Sequence, residues 1–324
     1  MSKISMNEGI QNTLISEEEL NSQVDPQKYR AYIPSPFIIT GLPTREPQKL
    51  PFTRQYNNIS LTLSGVNHVP YGKYGRLLLT ILTTHAVLSK NNTDVDKVVI
   101  EYNSLAQLLK ELQLPKTRGK DIRDQLSYFV KAAFIFEEKE TKKIDKSIIK
   151  DLFDEPVDLD DEVKATAVST GMIPFLSELK YIDIENRSAK ETVALSITLS
   201  AEFTRYSREH SVPIDYTIYK EISSPIGKDL YAWMVYRNNS ISEKPLFVPY
   251  KLLVEQFMPV AEGSVRTQER TNFDYLKDQI RAVQKLCPEL KVTFDKDGSG
   301  ITLHKSNLPK LTDEEHYVLV TSTL

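Results

Sequence analysis

Hydrophobic residues recur at helical spacing in residues 264–286, SVRTQERTNFDYLKDQIRAVQKL. They predict an amphipathic helix whose apolar stripe consists of Phe273, Leu276, Ile280 and Val283. Four basic residues fall within about 60° of one another on the same projection: Arg266, Arg270, Lys277 and Arg281. PLFVPYKLLVEQF before this helix predicts a strand and a shorter helix, and KVTFDKDGSGITLHKS after it predicts a β-hairpin. This order of elements is typical of a winged helix, in which the long helix enters a DNA major groove.

The same order of patterns occurs a second time, between about residues 74 and 199. YGRLLLTILTTHAVLSK predicts a buried helix, VVIEY a strand, and LAQLLKELQL a helix with Ser104 as its N-cap. KTRGKDIRDQLSYFVKAAF then predicts an amphipathic helix, and FIFEEKE, ELKYIDIEN and ETVALSITLS predict strands. The face opposite the apolar stripe of that helix carries Lys116, Lys120, Arg123, Ser127 and Lys131. These five residues and the four basic residues of the C-terminal helix are the candidate DNA-binding residues, although basic helix faces are also common on proteins that bind no DNA.

The patterns therefore predict an α+β fold of two tandem winged-helix domains, with helices packed on small antiparallel β-hairpins. Residues 1–30 are predicted to be a flexible N-terminal tail, 31–205 the first domain, 206–310 the second and 311–324 a C-terminal tail. An acidic insertion at about residues 141–172 is expected to be a mobile excursion between wing strands of the first domain.

Composition and charge indicate a soluble, cytoplasmic protein. No apolar run approaches the ~18 residues that a membrane span needs, no signal-peptide pattern is visible, and the single cysteine, Cys287, fits a reducing compartment. The formal net charge is −3, but residues 151–162 contain seven acids and no base, so the remainder carries +4. Because local patches steer a polyanion, the mean charge does not exclude DNA binding.

Motifs for catalysis, metals and cofactors are missing from the sequence. GVNHVPYGKY has six residues between its first two glycines and Tyr74 where a phosphate loop needs Ser or Thr. The five histidines are scattered without a His-x-His pair, which disfavours a metal-dependent nicking enzyme, and His85 is expected in the core. DKDGSG begins like a calcium loop, but Ser306 occupies the twelfth position, which needs a carboxylate. We therefore expect no catalytic residue, no metal and no cofactor, and interpret the chain as a binding protein.

Three segments, LPTREPQKLPFTRQYNNISLTLSG, VPYGKYGRLLLTILTTHAV and SSPIGKDLYAWMVYR, carry a family resemblance. Across roughly residues 42–306 the chain resembles plasmid replication initiators of the RepA type, and Leu42, Pro43 and Arg45 fit the family's LP-x-R element. In the third segment Asp229 is expected to cap or pair and Trp233 to pack in the core.

The resemblance implies a protein that binds repeated double-stranded sequences, called iterons, at a plasmid origin. It also implies that the protein helps to open the duplex, recruits the host's replicative helicase and initiator, and exists as a homodimer in equilibrium with a monomer. A winged-helix transcriptional regulator or autorepressor uses the same chemistry without an initiation role, and this alternative stays open.

Overall fold

The structure is a computed structural model that describes residues 30–89, 96–144, 163–186, 189–242, 244–258, 266–295 and 298–308. The predicted N-terminal tail, apart from Arg30, and the predicted C-terminal tail lie outside these residues.

Helices and short strands alternate along the described chain. The helices are α1 (Ser35–Thr40), α2 (Gly72–Leu88), α3 (Leu105–Glu111), α4 (Gly119–Lys131), α5 (Ala201–His210), α6 (Tyr216–Glu221), α7 (Pro225–Ser240), α8 (Tyr250–Phe257) and α9 (Arg266–Leu286). The strands are β1 (Arg30–Pro34), β2 (Phe52–Tyr56), β3 (Ile59–Gly65), β4 (Val99–Tyr102), β5 (Ala132–Ile144), β6 (Val163–Pro174), β7 (Leu176–Asn186), β8 (Ala189–Leu199), β9 (Ser211–Asp215), β10 (Leu246–Pro249), β11 (Val292–Phe294) and β12 (Gly300–Leu303). The α+β class predicted from the patterns is confirmed.

Serine side chains fix the start of several helices. The Ser104 hydroxyl accepts a hydrogen bond from the backbone N–H of Gln107 at 3.2 Å, so the predicted N-cap of α3 is confirmed. Ser224 caps α7 in the same way through the N–H of Gly227, and Pro225 occupies the first turn, where no N–H is needed.

The strands form small antiparallel sheets, and two of these sheets have the same topology. In one the order is β4-β8-β7, and in the other it is β10-β12-β11. In both, the first strand follows a long helix, two further helices come next, and a hairpin closes the sheet with its second strand in the middle. The repeat of architecture predicted from the hydrophobic patterns is therefore present in the topology.

The acidic insertion differs from its prediction. Strands β5 and β6 pair in register from Ala133 opposite Pro174 to Ile144 opposite Val163, so both ends of the predicted excursion are strand. This hairpin extends the sheet β2-β3-β5-β6 and precedes the β7–β8 hairpin, so the expectation of a mobile excursion is wrong for residues 141–144 and 163–172. Residues 137–144, EEKETKKI, show no apolar alternation that would predict a strand, but β5 pairs with β6 and, over residues 132–138, also with β3. Residues 145–162, which contain the acidic run, lie outside the described residues.

The predicted division between residues 205 and 206 falls inside α5. Strand β1 also pairs with β9, which lies beyond that division, from Arg30 opposite Asp215 to Pro34 opposite Ser211. The sequence VPIDYTIYKEI by itself predicts a helix, but its first half is strand β9, because β1 provides a pairing partner there. The two halves therefore share a strand pair as well as side-chain contacts.

The predicted core residues are buried, except that Phe273 of the apolar stripe of α9 is only partly buried. Leu276, Ile280 and Val283 of α9 are fully buried, and Trp233 of α7 is 2% exposed. His85 lies in the core, where its Nε2 is 2.9 Å from the Oε1 atom of Glu111. The expectation of a hydrogen-bonded core histidine is confirmed.

A buried ion pair joins the two halves between α2 and α7. The Nε and Nη2 atoms of Arg76 each lie 2.7 Å from an oxygen of Asp229, and the two side chains are 2% and 6% exposed. The remaining N–H groups of Arg76 donate to the carbonyls of Leu42, Pro43 and Gly72, so all five guanidinium hydrogens have acceptors. The three segments that carry the family resemblance therefore meet at this arginine, and the expectation that Asp229 pairs is confirmed.

Two residues next to this ion pair, Gly41 and Arg54, also have little freedom to change. Gly41 has a positive φ of 70°, and a Cβ atom at this position would lie 2.7 Å from Oδ2 of Asp229. Arg54 donates to the carbonyl of Thr40 at 2.6 Å, and burial, opposed by Asp229, lowers the pKa of Arg54 to about 10. A small residue with left-handed backbone is thus required beside the buried carboxylate.

Lys228, next to Asp229 in α7, is a buried lysine that is 1% exposed. Its Nζ donates to the carbonyl of Tyr219 at the end of α6 and lies 4.5 Å from the centroid of the Tyr219 ring. Burial, reinforced by the charges of Arg76 and Lys73, lowers the pKa of Lys228 from 10.5 to about 7. Between about pH 7 and pH 10, Lys228 is therefore mostly neutral in the folded chain but protonated in the unfolded chain.

This pKa shift predicts that the free energy of unfolding rises with pH from about pH 7 to about pH 10. The unfolded state binds more protons in that window, so Lys228 contributes a slope of up to about 1.4 kcal/mol per pH unit. In Lys228→Met this contribution is expected to vanish, and urea titrations at several pH values measure the difference. Lys251→Met, at a side chain that is 84% exposed, is the matched control and should keep the wild-type slope. Parallel pH profiles for Lys228→Met and the wild type would contradict the assignment.

Candidate nucleic-acid interface

Helix α4 and the turn before it expose three of the five DNA-binding residues predicted here. A 3-10 turn, Lys116–Arg118, leads into the helix, and Ile122, Leu126 and Phe129 form its buried stripe. The side chains that are exposed on the other side are those of Lys116, Lys120 and Lys131. These lysines are free to contact a polyanion because the packing of the helix does not use them.

Arg123 and Ser127 of the same helix instead face the β7–β8 hairpin. The Nη1 atom of Arg123 lies 3.6 Å from Oδ2 of Asp183 in β7, and Asp183 also accepts from the Thr192 hydroxyl at 2.6 Å. Arg123 and Ser127 line a small recess together with Tyr181 and other residues of the hairpin. Arg123 therefore links α4 to the hairpin, and Ser127 faces the hairpin from the same side of the helix.

Asp124 is the residue of this face that the sequence analysis left out. Residues 120, 124, 127 and 131 follow the i, i+4, i+7, i+11 spacing of one helical face, and Asp124 is exposed between Lys120 and Lys131. The same helical projection contains Asp124, but an acid does not fit a pattern of basic and hydroxyl residues that bind phosphates.

One flank of α4 carries stacked aromatic rings near carboxylates. The ring of Tyr128 stacks on His68 at a centroid distance of 4.7 Å and on Tyr71 at 6.0 Å, and Nδ1 of His68 contacts the carboxylate of Glu46. Burial, with contributions from Asp124 and Glu46, raises the pKa of the Tyr128 hydroxyl. Because carboxylates repel phosphates, phosphates are better accommodated at Lys120 and Lys131 than on this flank.

Two of the four basic residues predicted on α9 form ion pairs within the helix. Lys277 is only 23% exposed, because its Nζ lies over the Phe273 ring at 4.0 Å and pairs with Asp274 at 3.1 Å. Arg281 pairs with Asp278 at 3.1 Å, and its guanidinium lies 5.2 Å from the centroid of the Phe294 ring in β11. The described basic edge thus runs beside the β11–β12 hairpin. Arg266 and Arg270 lie in the first turns of α9, but the structure does not describe their side chains.

Two further properties concern the described residues alone. They contain no group of three or more His, Cys, Asp and Glu side chains placed to hold a metal ion. None of the helices that they form is long and apolar enough to cross a membrane. Asp295, which begins the calcium-loop-like DKDGSG, accepts instead from the hydroxyls of Ser299 and Thr302 at the turn between β11 and β12.

The fold and this interface define an α+β protein with two modules of matching topology, each exposing a partly charged helix beside a hairpin. The chain belongs to the family of plasmid-encoded RepA proteins, whose family model matches residues 69–256, more than half of its length. The resemblance found in the sequence is thereby confirmed. No curated protein matches the chain.

Two crystal structures are similar to the chain at low sequence identity. The selenomethionine derivative of domains 2 and 3 of RctB has a TM-score of 0.49 and 11% identity, covering 85% of this chain and 99% of that chain. The structure of RctB domains 2-3, RctB-155-483, has a TM-score of 0.45 and 11% identity, covering 82% of this chain and 94% of that chain.

Proposed function

We propose that this chain is a plasmid replication initiator that binds repeated double-stranded DNA at the origin through two winged-helix domains. Membership of the RepA family supports the initiation role. The observation that carries the DNA-binding part is the identical strand order of β4-β8-β7 and β10-β12-β11, each with a helix pair before its hairpin. This is the order of elements in a winged helix, whose second helix of the pair enters the major groove.

In this proposal α4 and α9 occupy successive major grooves, whose centres are ~34 Å apart. The exposed lysines of α4 contact phosphates, and Arg123 holds the β7–β8 hairpin beside the adjacent DNA backbone. The ion pair between Arg76 and Asp229 keeps the two helices in a fixed relation, since it joins α2 of one module to α7 of the other. A fixed relation makes the spacing of the two half-sites part of the recognition.

The wider role follows the family. The chain promotes opening of the origin, recruits the host's replicative helicase and initiator, and exchanges between homodimer and monomer. It acts in the bacterial cytoplasm on plasmid DNA, without a catalytic activity of its own.

Plasmid maintenance separates this function from that of a transcriptional regulator. The gene with its flanking DNA is placed on a plasmid that has no other origin, and a matched plasmid carries a stop codon early in the gene. We expect transformants to maintain the first plasmid and to lose the second. If neither is maintained while the protein represses its own promoter, the regulator is the correct function and initiation is excluded.

A further inference from the structure

The outward face of α4 has an acid at its centre. Lys120, Asp124 and Lys131 lie on one face at i, i+4 and i+11, opposite the buried stripe, and all three are exposed. A carboxylate in this position is repelled by every phosphate that its neighbouring lysines attract. It fits a DNA complex only where it meets a hydrogen-bond donor.

Asp124 differs from the other acids of the two helices whose side chains the structure describes. Asp121 lies 3.4 Å from the guanidinium of Arg118, and Asp274 and Asp278 pair with Lys277 and Arg281. Asp124 makes no hydrogen bond or ion pair with another described residue. Its oxygens therefore remain available as acceptors on the exposed side of the helix.

The major groove offers one donor that suits such a carboxylate particularly well. Cytosine presents its N4 amino group there, and Asp or Glu side chains accept hydrogen bonds from it. Adenine also has an amino group, but its adjacent N7 acceptor repels a carboxylate and suits the amide of Asn or Gln. Guanine and thymine present acceptors at the corresponding edge, so they are disfavoured opposite Asp124.

We propose that Asp124 is a specificity-determining residue of α4 that accepts a hydrogen bond from the N4 amino group of one cytosine, while Lys120 and Lys131 hold the phosphates on either side. This inference rests on the proposed function, because it places α4 in the major groove. It goes further by naming a base and the residue that recognises it. Loss of the carboxylate then changes which base is preferred at one position and leaves the rest of the site as it was.

The test is selection from a randomised double-stranded DNA library with the full chain and with two variants. Asp124→Asn replaces the carboxylate by an amide of the same shape. Asp121→Asn is the matched control, one helical turn away from the centre of the face. We expect the wild type and Asp121→Asn to select cytosine at one position, with discrimination on the order of tenfold, and Asp124→Asn to select adenine there. Thermal unfolding of the three proteins should coincide, because both sites are on the surface.

The remaining outcomes overturn the proposal in different ways. If Asp124→Asn binds all sequences more tightly and keeps the wild-type base preferences, Asp124 only repels phosphates and the inference is wrong, whereas the proposed function stands. Unchanged preference and unchanged affinity also refute it. If the wild type selects no sequence from the library, both this inference and the DNA-binding part of the proposed function fail.

Discussion

Replacing Asp229 by Ala is expected to lower the free energy of unfolding by about 3–5 kcal/mol. The substitution leaves the guanidinium of Arg76 charged at a site where its side chain is 2% exposed, with two of its five hydrogens deprived of acceptors. Because domains are stable by about 5–15 kcal/mol, this loss is a large part of the total. Urea denaturation followed by circular dichroism measures it.

Two further variants test the mechanism of this loss. Asp278→Ala removes an exposed partner of Arg281 and should change stability by less than about 0.5 kcal/mol. Arg76→Met combined with Asp229→Leu removes both charges and should be less destabilised than Asp229→Ala alone, since no unpaired ion remains. If Asp229→Ala unfolds at the same urea concentration as the wild type, the buried pair does not hold the halves together.

Local patterns allowed much of the fold to be predicted. The stripe of Leu276, Ile280 and Val283 identified both α9 and its buried face, because burial of one helical side imposes a 3.6-residue period. Ser104 marked the start of α3 for the same kind of reason, since an N-cap is a contact between residues three apart. Such features need no knowledge of the rest of the chain.

Local patterns do not predict contacts between segments that are far apart in the sequence. The position of Arg123 on a basic helix face predicts a DNA contact, but no local pattern indicates its ion pair with Asp183, 60 positions further along the chain. Arg76 and Asp229 are 153 positions apart, and neither local sequence indicates the other. The pairing of β1 with β9 likewise converted an expected helix into a strand. In each case tertiary contact decided what local propensity left open.

Replacing Lys120 and Lys131 of α4 and Lys116 of the turn before it by Ala is expected to lower the affinity for DNA on the order of 100-fold. The three side chains are exposed and are not needed for packing, so the fold should be retained. Each lost phosphate contact should also reduce the slope of log affinity against log salt by about 0.9, which is about 3 in total. The control replaces three exposed lysines on other elements, Lys110, Lys244 and Lys251, which changes the net charge equally.

The central claim is that the exposed face of α4 binds specific DNA, and a titration of the intact chain tests it most directly. Fluorescence anisotropy at several salt concentrations compares a duplex from the DNA that flanks the gene with a scrambled duplex of equal length. We expect the flanking duplex to be bound at least about 10³-fold more tightly at physiological salt. The triple Ala variant of α4 should lose affinity and salt slope, and its control should not. Equal affinity for both duplexes, or identical titrations for the two triple variants, would contradict the claim.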